Sequence, residues 1–409
     1  MKKVYLYLML ILSCQVGFAT SGAFFSVTSN TTQTGTILSI TTTIPNHTYS
    51  IAGIKINNSG YHLTNAGSEC TSIANGYCLF SVDNLSPKTI TITGKVGQID
   101  MSLCLNGNGP ISCQNYQVSI SYAYVANDNG HILICPIRSN GLFGACFDGA
   151  ATFSGPNVLT FNATKTMAYV TNFDGTGSVY LCAIQSDYTL ADCHTLTNTG
   201  ASFALPFGLV LNTLQTTAYI PNGSGGNVLI CPLNGDSTVC ENSGNTGISF
   251  SYPLGIAFNQ TQTIAYVTNN GVISGANAVS MCPITAGTFG DCVDSGNTGI
   301  SFSNPQGIVL NSSGTIAYVT NTSSTSTVSI CPIQKDGAFG KCVDSGNTFD
   351  YPIWIALNTD GTKAYVTNNT GSTVLMCPIN DNGTFGTCQN AGNSGIPQFS
   401  GPEGITLYS

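Results

Sequence analysis

Six times the chain returns to one five-residue phrase, and no other feature limits its fold as tightly. Ala-Tyr-Val-Thr-Asn stands at 168–172, 265–269, 317–321 and 364–368, with near copies at 123–127 and 218–222. The six tyrosines, Tyr124, Tyr169, Tyr219, Tyr266, Tyr318 and Tyr365, are 45, 50, 47, 52 and 47 residues apart. A period in that range marks one supersecondary unit per repeat, stacked in a propeller or an array. Each unit reads as four strands. A proline opens the first, as in Pro305 to Leu310, and a Gly-bearing turn such as 311–314 leads into the Tyr-Val-Thr-Asn strand. The Gly supplies the positive φ that a tight hairpin needs. A third strand such as 327–333 and a fourth ending near Cys342 complete the unit. Unbroken apolar runs such as Gly307-Ile308-Val309-Leu310 fit strands covered on both faces by neighbouring sheets, the grammar of a β-propeller.

The two ends of the repeat region indicate ring closure. The first copy, at 123–127, has no Pro-x-Gly-Ile strand before it, whereas a spare one, Pro402-Glu403-Gly404-Ile405-Thr406-Leu407, follows the last copy. Placed innermost in the first blade, it completes six blades and pairs an open edge. The expected fold class is all-β: a six-bladed β-propeller over 117–409, closed by the C-terminal strand and preceded by a small β-sandwich-like domain over 20–116. In that leading region, β-branched stretches at 36–43, 50–56, 89–93 and 99–105 alternate with Asn-Gly and Ser-Pro turns.

Tyr-Val-Thr-Asn after a Pro-x-Gly-Ile-x-Leu-Asn strand resembles the bacterial YVTN-type β-propeller repeat proteins, kin in pattern to six-bladed NHL-type propellers. The resemblance covers roughly 120–409. It implies the propeller fold and an open choice of function, since such proteins serve as binding scaffolds, surface-layer components and occasionally lactonase-like or lyase enzymes. The family's usual unit lacks a cysteine pair in its outer hairpin, so this chain departs toward a stapled variant.

Residues 1–19 read as a signal peptide, with Lys2 and Lys3, an apolar stretch from Val4 to Leu12, and a small-x-small site at Gly17-Phe18-Ala19. Lipoprotein processing at Cys14 is the competing reading. An exported location is expected, whether periplasmic, cell-surface or secreted. Beyond Cys14, sixteen cysteines fall in close pairs: Cys70/Cys78, Cys104/Cys113, Cys135/Cys146, Cys182/Cys193, Cys231/Cys240, Cys282/Cys292, Cys331/Cys342 and Cys377/Cys388. In an exported chain these read as disulfides between sequence neighbours. Zinc sites want much tighter Cys spacing, and the four histidines, His47, His62, His131 and His194, share no repeat position.

Eighteen carboxylates face ten basic residues, and Arg138 is the only arginine. No basic stripe exists for a nucleic acid or an anionic membrane surface. No later segment has the unbroken apolar length of a spanning helix. Loops such as Asp294-Ser295-Gly296-Asn297-Thr298-Gly299 read as Asx turns, because they miss the spacing and bidentate Glu of a calcium loop. No cofactor or metal is expected, and no Ser-His-acid or metal-ligand constellation stands out.

Two sets of residues are candidate ligand contacts. The strand-ending asparagines Asn127, Asn172, Asn222, Asn269, Asn321 and Asn368 should form a ring on one face. Trp354, the single tryptophan, replaces the Gly found at the third position of four innermost strands (208, 255, 307 and 404) and is expected partly exposed at a channel opening. On this reading the protein is a monomeric, non-catalytic scaffold that binds a protein or glycan through its Asn/Ser/Thr/Gly-rich loop faces. A lactonase- or lyase-like enzyme with a polar site at the central channel is the alternative. The two separate on one observation: an enzyme should gather at least two carboxylates, or a histidine, at the channel mouth.

Overall fold

The computed structural model describes residues 121–409 except 139, 174, 176, 272–277, 324–325, 396 and 409, together with nine strands between Phe25 and Val118. The signal-peptide reading of residues 1–19 and the side chains of Cys70, Cys78, Cys104 and Cys113 lie outside the described residues. The chain divides into two compact units, one comprising 1–121 with 136–144 and the other 122–135 with 145–409. In the first unit, four strands (Phe25–Thr32, Gly35–Thr42, Lys88–Gly94 and Tyr61–Thr64) form one sheet. Five more (Ser72–Ala74, Tyr77–Val82, Tyr49–Ile56, Ile99–Asn106 and Ser112–Val118) form another.

The second unit is a six-bladed β-propeller. Blades 2 to 6 begin with the innermost strands Pro156–Phe161, Val210–Leu211, Pro253–Phe258, Pro305–Leu310 and Pro352–Leu357. Blade 1 takes its innermost strand from the far end of the chain: Pro402–Tyr408 pairs antiparallel with Ser121–Asn127, Tyr122 opposite Tyr408 and Asn127 opposite Pro402. The expected closure is therefore present. Among the described residues the one helix is a single 3-10 turn, Gly223–Gly225, and no helix is long and apolar enough to cross a membrane.

The tyrosine and the threonine of the repeated phrase join blade to blade, and the valine between them packs the interior. The tyrosine reaches the outer hairpin of the following blade. Tyr266 Oη donates to Gly337 O at 2.7 Å and Tyr318 Oη to Gly383 O at 2.8 Å, while their rings stack on Phe339 and Phe385. Burial pushes both phenols up to about 12, so they remain protonated donors. Val267, Val319 and Val366 fill the interior and have no exposed surface. The threonine sits at a register shift between innermost and second strands. Thr320 Oγ1 accepts from Gly307 N at 2.8 Å and donates to Ile353 O of the next blade at 2.7 Å. Thr268 and Thr367 repeat this, donating to Gln306 O and Glu403 O.

The glycines of Pro-x-Gly-Ile sit where neighbouring innermost strands approach most closely. A Cβ on Gly255 would lie 2.2 Å from Gln306 O, and one on Gly404 2.2 Å from Asn157 O. Only a residue without a side chain permits that approach.

Six disulfides pair as expected, Cys135–Cys146, Cys182–Cys193, Cys231–Cys240, Cys282–Cys292, Cys331–Cys342 and Cys377–Cys388. In five blades the second cysteine, Cys146, Cys240, Cys292, Cys342 or Cys388, is also where the linker from the preceding blade docks. Asp294 Oδ1 turns the chain by accepting from Gly296 N, and Asn297 Oδ1 then accepts from both Gly299 N and Cys342 N. Ile300 N completes the latch on Cys342 O at 3.1 Å. The loops read as Asx turns are thus inter-blade fasteners. Asn198, Asn347 and Asn393 reach the amides of Cys240, Cys388 and Cys146 in the same way.

Candidate functional site at the channel mouth

The propeller channel has two unlike ends. At one, the innermost strands begin beside the ends of the Tyr-Val-Thr-Asn strands, as the pairing of Pro305 with Asn321 and of Pro352 with Asn368 shows. At the other, those strands leave for their hairpin turns.

The six asparagines stand at the first end but turn inward. All six are at most 4% exposed. Asn172, Asn222, Asn269 and Asn321 each accept, through Oδ1, from the backbone leading into their own blade's innermost strand, at Gly155, Ala204, Ser251 and Ser303. Asn127 does the same for Ser400 N, across the ring closure. The Nδ2 groups of Asn269 and Asn321 donate to Ser280 Oγ and Ser329 Oγ, both at 2.9 Å. Asn368 Nδ2 donates to Thr373 Oγ1. Asn side chains commonly satisfy backbone groups at turns in this way. The expected ligand-facing ring is replaced by internal braces that anchor the start of the innermost strand in five blades, while the Oδ1 of the buried Asn368 has no partner among the described residues.

Trp354 is also placed differently from expectation. It is 8% exposed, and its indole reaches from blade 6 to blade 3 on the far side of the channel. Its ring centroid lies 5.9 Å from that of Phe207, and its Cη2 would be 3.1 Å from a Cβ on Gly208. A side chain this large fits at an axial position because the opposing residue is Gly. Trp354 therefore plugs the channel interior instead of standing at its rim.

What gathers at the first end was not singled out from sequence. Asp128 follows Asn127 in blade 1, Glu403 follows Pro402 in the same blade, and Asn369 follows Asn368 in blade 6. Asn369 Nδ2 donates to Glu403 Oε1 at 2.9 Å and to Asp128 Oδ2 at 3.2 Å. Burial, then a hydrogen bond to Asp128 and repulsion from its charge, hold the Glu403 carboxyl well above the usual carboxylate range. Burial beside a second carboxyl thus favours the protonated form of Glu403. No histidine joins them: the described ones, His131 and His194, lie on outer parts of their blades and pair with Asp148 and Asp236.

The equivalent positions in other blades are uncharged. After the proline come Asn157, Phe207, Leu254, Gln306 and Ile353; after the asparagine come Phe173, Gly223, Asn270 and Thr322. Gln306 Nε2 donates to Thr322 Oγ1, yet its buried Oε1 has no partner among the described residues, and neither does the buried Asn270 Nδ2. The cavity of about 460 Å³ in this unit is elsewhere, at the other end of the channel. That cavity has no titratable side chain in its lining.

No protein-family model and no curated protein matches the chain. Solved structures do. A candidate 6-phosphogluconolactonase from Bacteroides fragilis aligns at 14% identity over 71% of this chain and 98% of its own, TM-score 0.52. A chain of a nidogen–laminin complex aligns at 13% identity over 70% and 98%, TM-score 0.54. The periplasmic gluconolactonase of Pseudomonas aeruginosa aligns at 14% identity over 88% and 99%, TM-score 0.48. At these identities the likeness establishes the propeller fold.

The expectation of a non-catalytic scaffold is corrected here. Two carboxyls meet at the channel mouth, which is the arrangement set out above as the mark of an enzyme, and a lactonase-named protein stands among those sharing the fold.

Proposed function

We propose that the chain is a lactonase-like hydrolase acting at the Glu403–Asp128 end of the channel. The observation that carries this is a protonated carboxyl and a second carboxyl held together by the Asn369 amide. Opening a lactone needs two proton movements. As water adds to the ring carbonyl carbon, a carboxylate takes its proton; as the ring C–O bond breaks, a carboxylic acid protonates the leaving oxygen. Asp128 suits the first role and Glu403, which keeps its proton to higher pH, the second. One lactone and one water give one hydroxy acid, and transfer of the captured proton from Asp128 to Glu403 resets the pair. The Asn369 amide fixes both groups for the task, a gain of orientation rather than of charge.

The surroundings indicate a neutral, hydroxylated lactone. Gln306 Oε1 and Asn270 Nδ2 are buried without a partner among the described residues, one acceptor and one donor that hydroxyl groups would satisfy once the side chains turn outward. None of the positions after the prolines or after the strand-ending asparagines is Lys or Arg, so nothing there matches a phosphate. We also read the chain as a disulfide-stapled, exported member of the YVTN-type propellers, supported by the six bridges and by the repeated phrase.

The test is hydrolysis of neutral sugar lactones followed by proton release, with Glu403→Gln and Asp128→Asn alongside. Each variant should lose on the order of 10²–10⁴ in kcat/KM. Hydrolysis at the uncatalysed rate, or undiminished in both variants, would overturn the proposal.

A further inference from the structure

The other end of the channel holds a cavity of about 460 Å³ to which all six blades contribute wall. Val158, Leu209, Ile256, Ile308, Ile355 and Ile405 form its deeper ring, and Trp354 belongs to the same lining. No titratable side chain faces it. Several polar groups of the wall are engaged within the protein: Thr160 Oγ1 donates to Leu209 O, Thr406 Oγ1 to Leu159 O, and Gln260 Nε2 to Ser312 O. The wall is mostly apolar, so a molecule with apolar faces gains most by leaving water for it. The volume lies within the range of small-molecule sites.

We propose that this cavity is a second binding site, for a compact neutral aromatic or alicyclic molecule, separate from the carboxyl pair at the opposite end. The plug formed by Trp354 against Phe207 and Gly208 rules out a threaded chain and calls for an occupant that ends where the indole begins. The absence of charge in the wall rules out an ionised one, because nothing would offset its loss of hydration. The hydroxylated lactone proposed for the carboxyl end is less suited, since the deeper ring of the wall offers its hydroxyls no polar side chain.

Trp354 is the only tryptophan, so its emission reports this place alone. The full chain would be titrated with N-phenyl-1-naphthylamine, a neutral aromatic fluorophore that accepts energy from tryptophan. Saturable one-to-one quenching of Trp354 with sensitised probe emission is expected, reversed by naphthalene. Ala356→Phe, which fills the wall, should weaken binding by about tenfold or more, and Glu403→Gln should leave it unchanged. Quenching that fails to saturate, or that naphthalene does not reverse on the parent chain, would overturn the site. So would equal affinity in a folded Ala356→Phe protein.

Discussion

Removing one staple, by Cys331→Ala with Cys342→Ala, tests whether the disulfides hold the ring as well as the blade. The bridge spans 11 residues of sequence, and both sulfurs are buried. Closing a loop of that length restricts the unfolded chain by about 3 kcal/mol at room temperature in the loop-entropy model. The latch from blade 4 adds to this. Asn297 Oδ1 and Ile300 N both bond the backbone of Cys342, and each such bond is worth about 1 kcal/mol. If the outer strand of blade 5 drifts once unbridged, those bonds go too, for a total of about 4–5 kcal/mol. The assay is denaturant unfolding of the parent, the double-alanine variant, Asn297→Ala and the combination, with and without reductant. Reductant abolishes the bridge in the parent, so the difference between the two conditions isolates it from the packing lost with the sulfurs. Asn297→Ala should cost about 1 kcal/mol in the parent and nearly nothing in the unbridged background. A bridge contribution below about 1 kcal/mol would refute the entropic reasoning. An equal cost of Asn297→Ala in both backgrounds would refute the dependence of latch on staple.

Glu403 predicts a particular pH response. Its folded carboxyl binds its proton more tightly than the ordinary value of 4.5, so the native state holds more protons than the unfolded one, and stability falls as pH rises from about 4.5 through the folded value. Thermal melts across that window should show the decline in the parent and its loss in Glu403→Gln, and a parallel decline in both would assign it to other groups. Deleting 401–409 should strip the innermost strand from Ser121–Asn127 and expose a sheet edge, giving aggregation or a lower melting temperature. A truncated protein as stable and monomeric as the parent would contradict closure of the ring by this strand.

The fold was legible because the residues of the repeat perform the same structural tasks several times over. Tyr266 and Tyr318, Thr268 and Thr320, and Gly255 and Gly307 answer to nearly identical surroundings, so periodicity carried the architecture. The candidate site was not legible for the opposite reason: it consists of departures from the repeat. Asp128 and Glu403 are 275 positions apart and occur once each. One signal could have found them. With Pro402 placed opposite Asn127 by closure, the residues that follow each, Glu403 and Asp128, fall at the same end of the same blade. The asparagines misled because a polar residue repeated at a strand end looks the same in sequence whether it faces outward or braces the backbone. Trp354 misled because its fit depends on the Gly at 208, across a distance that no repeat alignment displays.

Blade 1 is assembled from Ser121–Asn127, made before the other blades, and Pro402–Tyr408, made after them. During vectorial synthesis, which generally lets domains fold from the N-terminal side as they emerge, this ring has no such option. Its carboxyl pair has one member on each of those segments, so the site cannot exist on any nascent chain that has yet to reach Glu403. A protease trimming the tail would leave five blades with their local staples formed and blade 1 without its innermost strand, and a ribosome stalled in blade 6 would leave that blade unfinished as well. Competence at the channel mouth therefore reports that the chain has run through Glu403 and closed the ring.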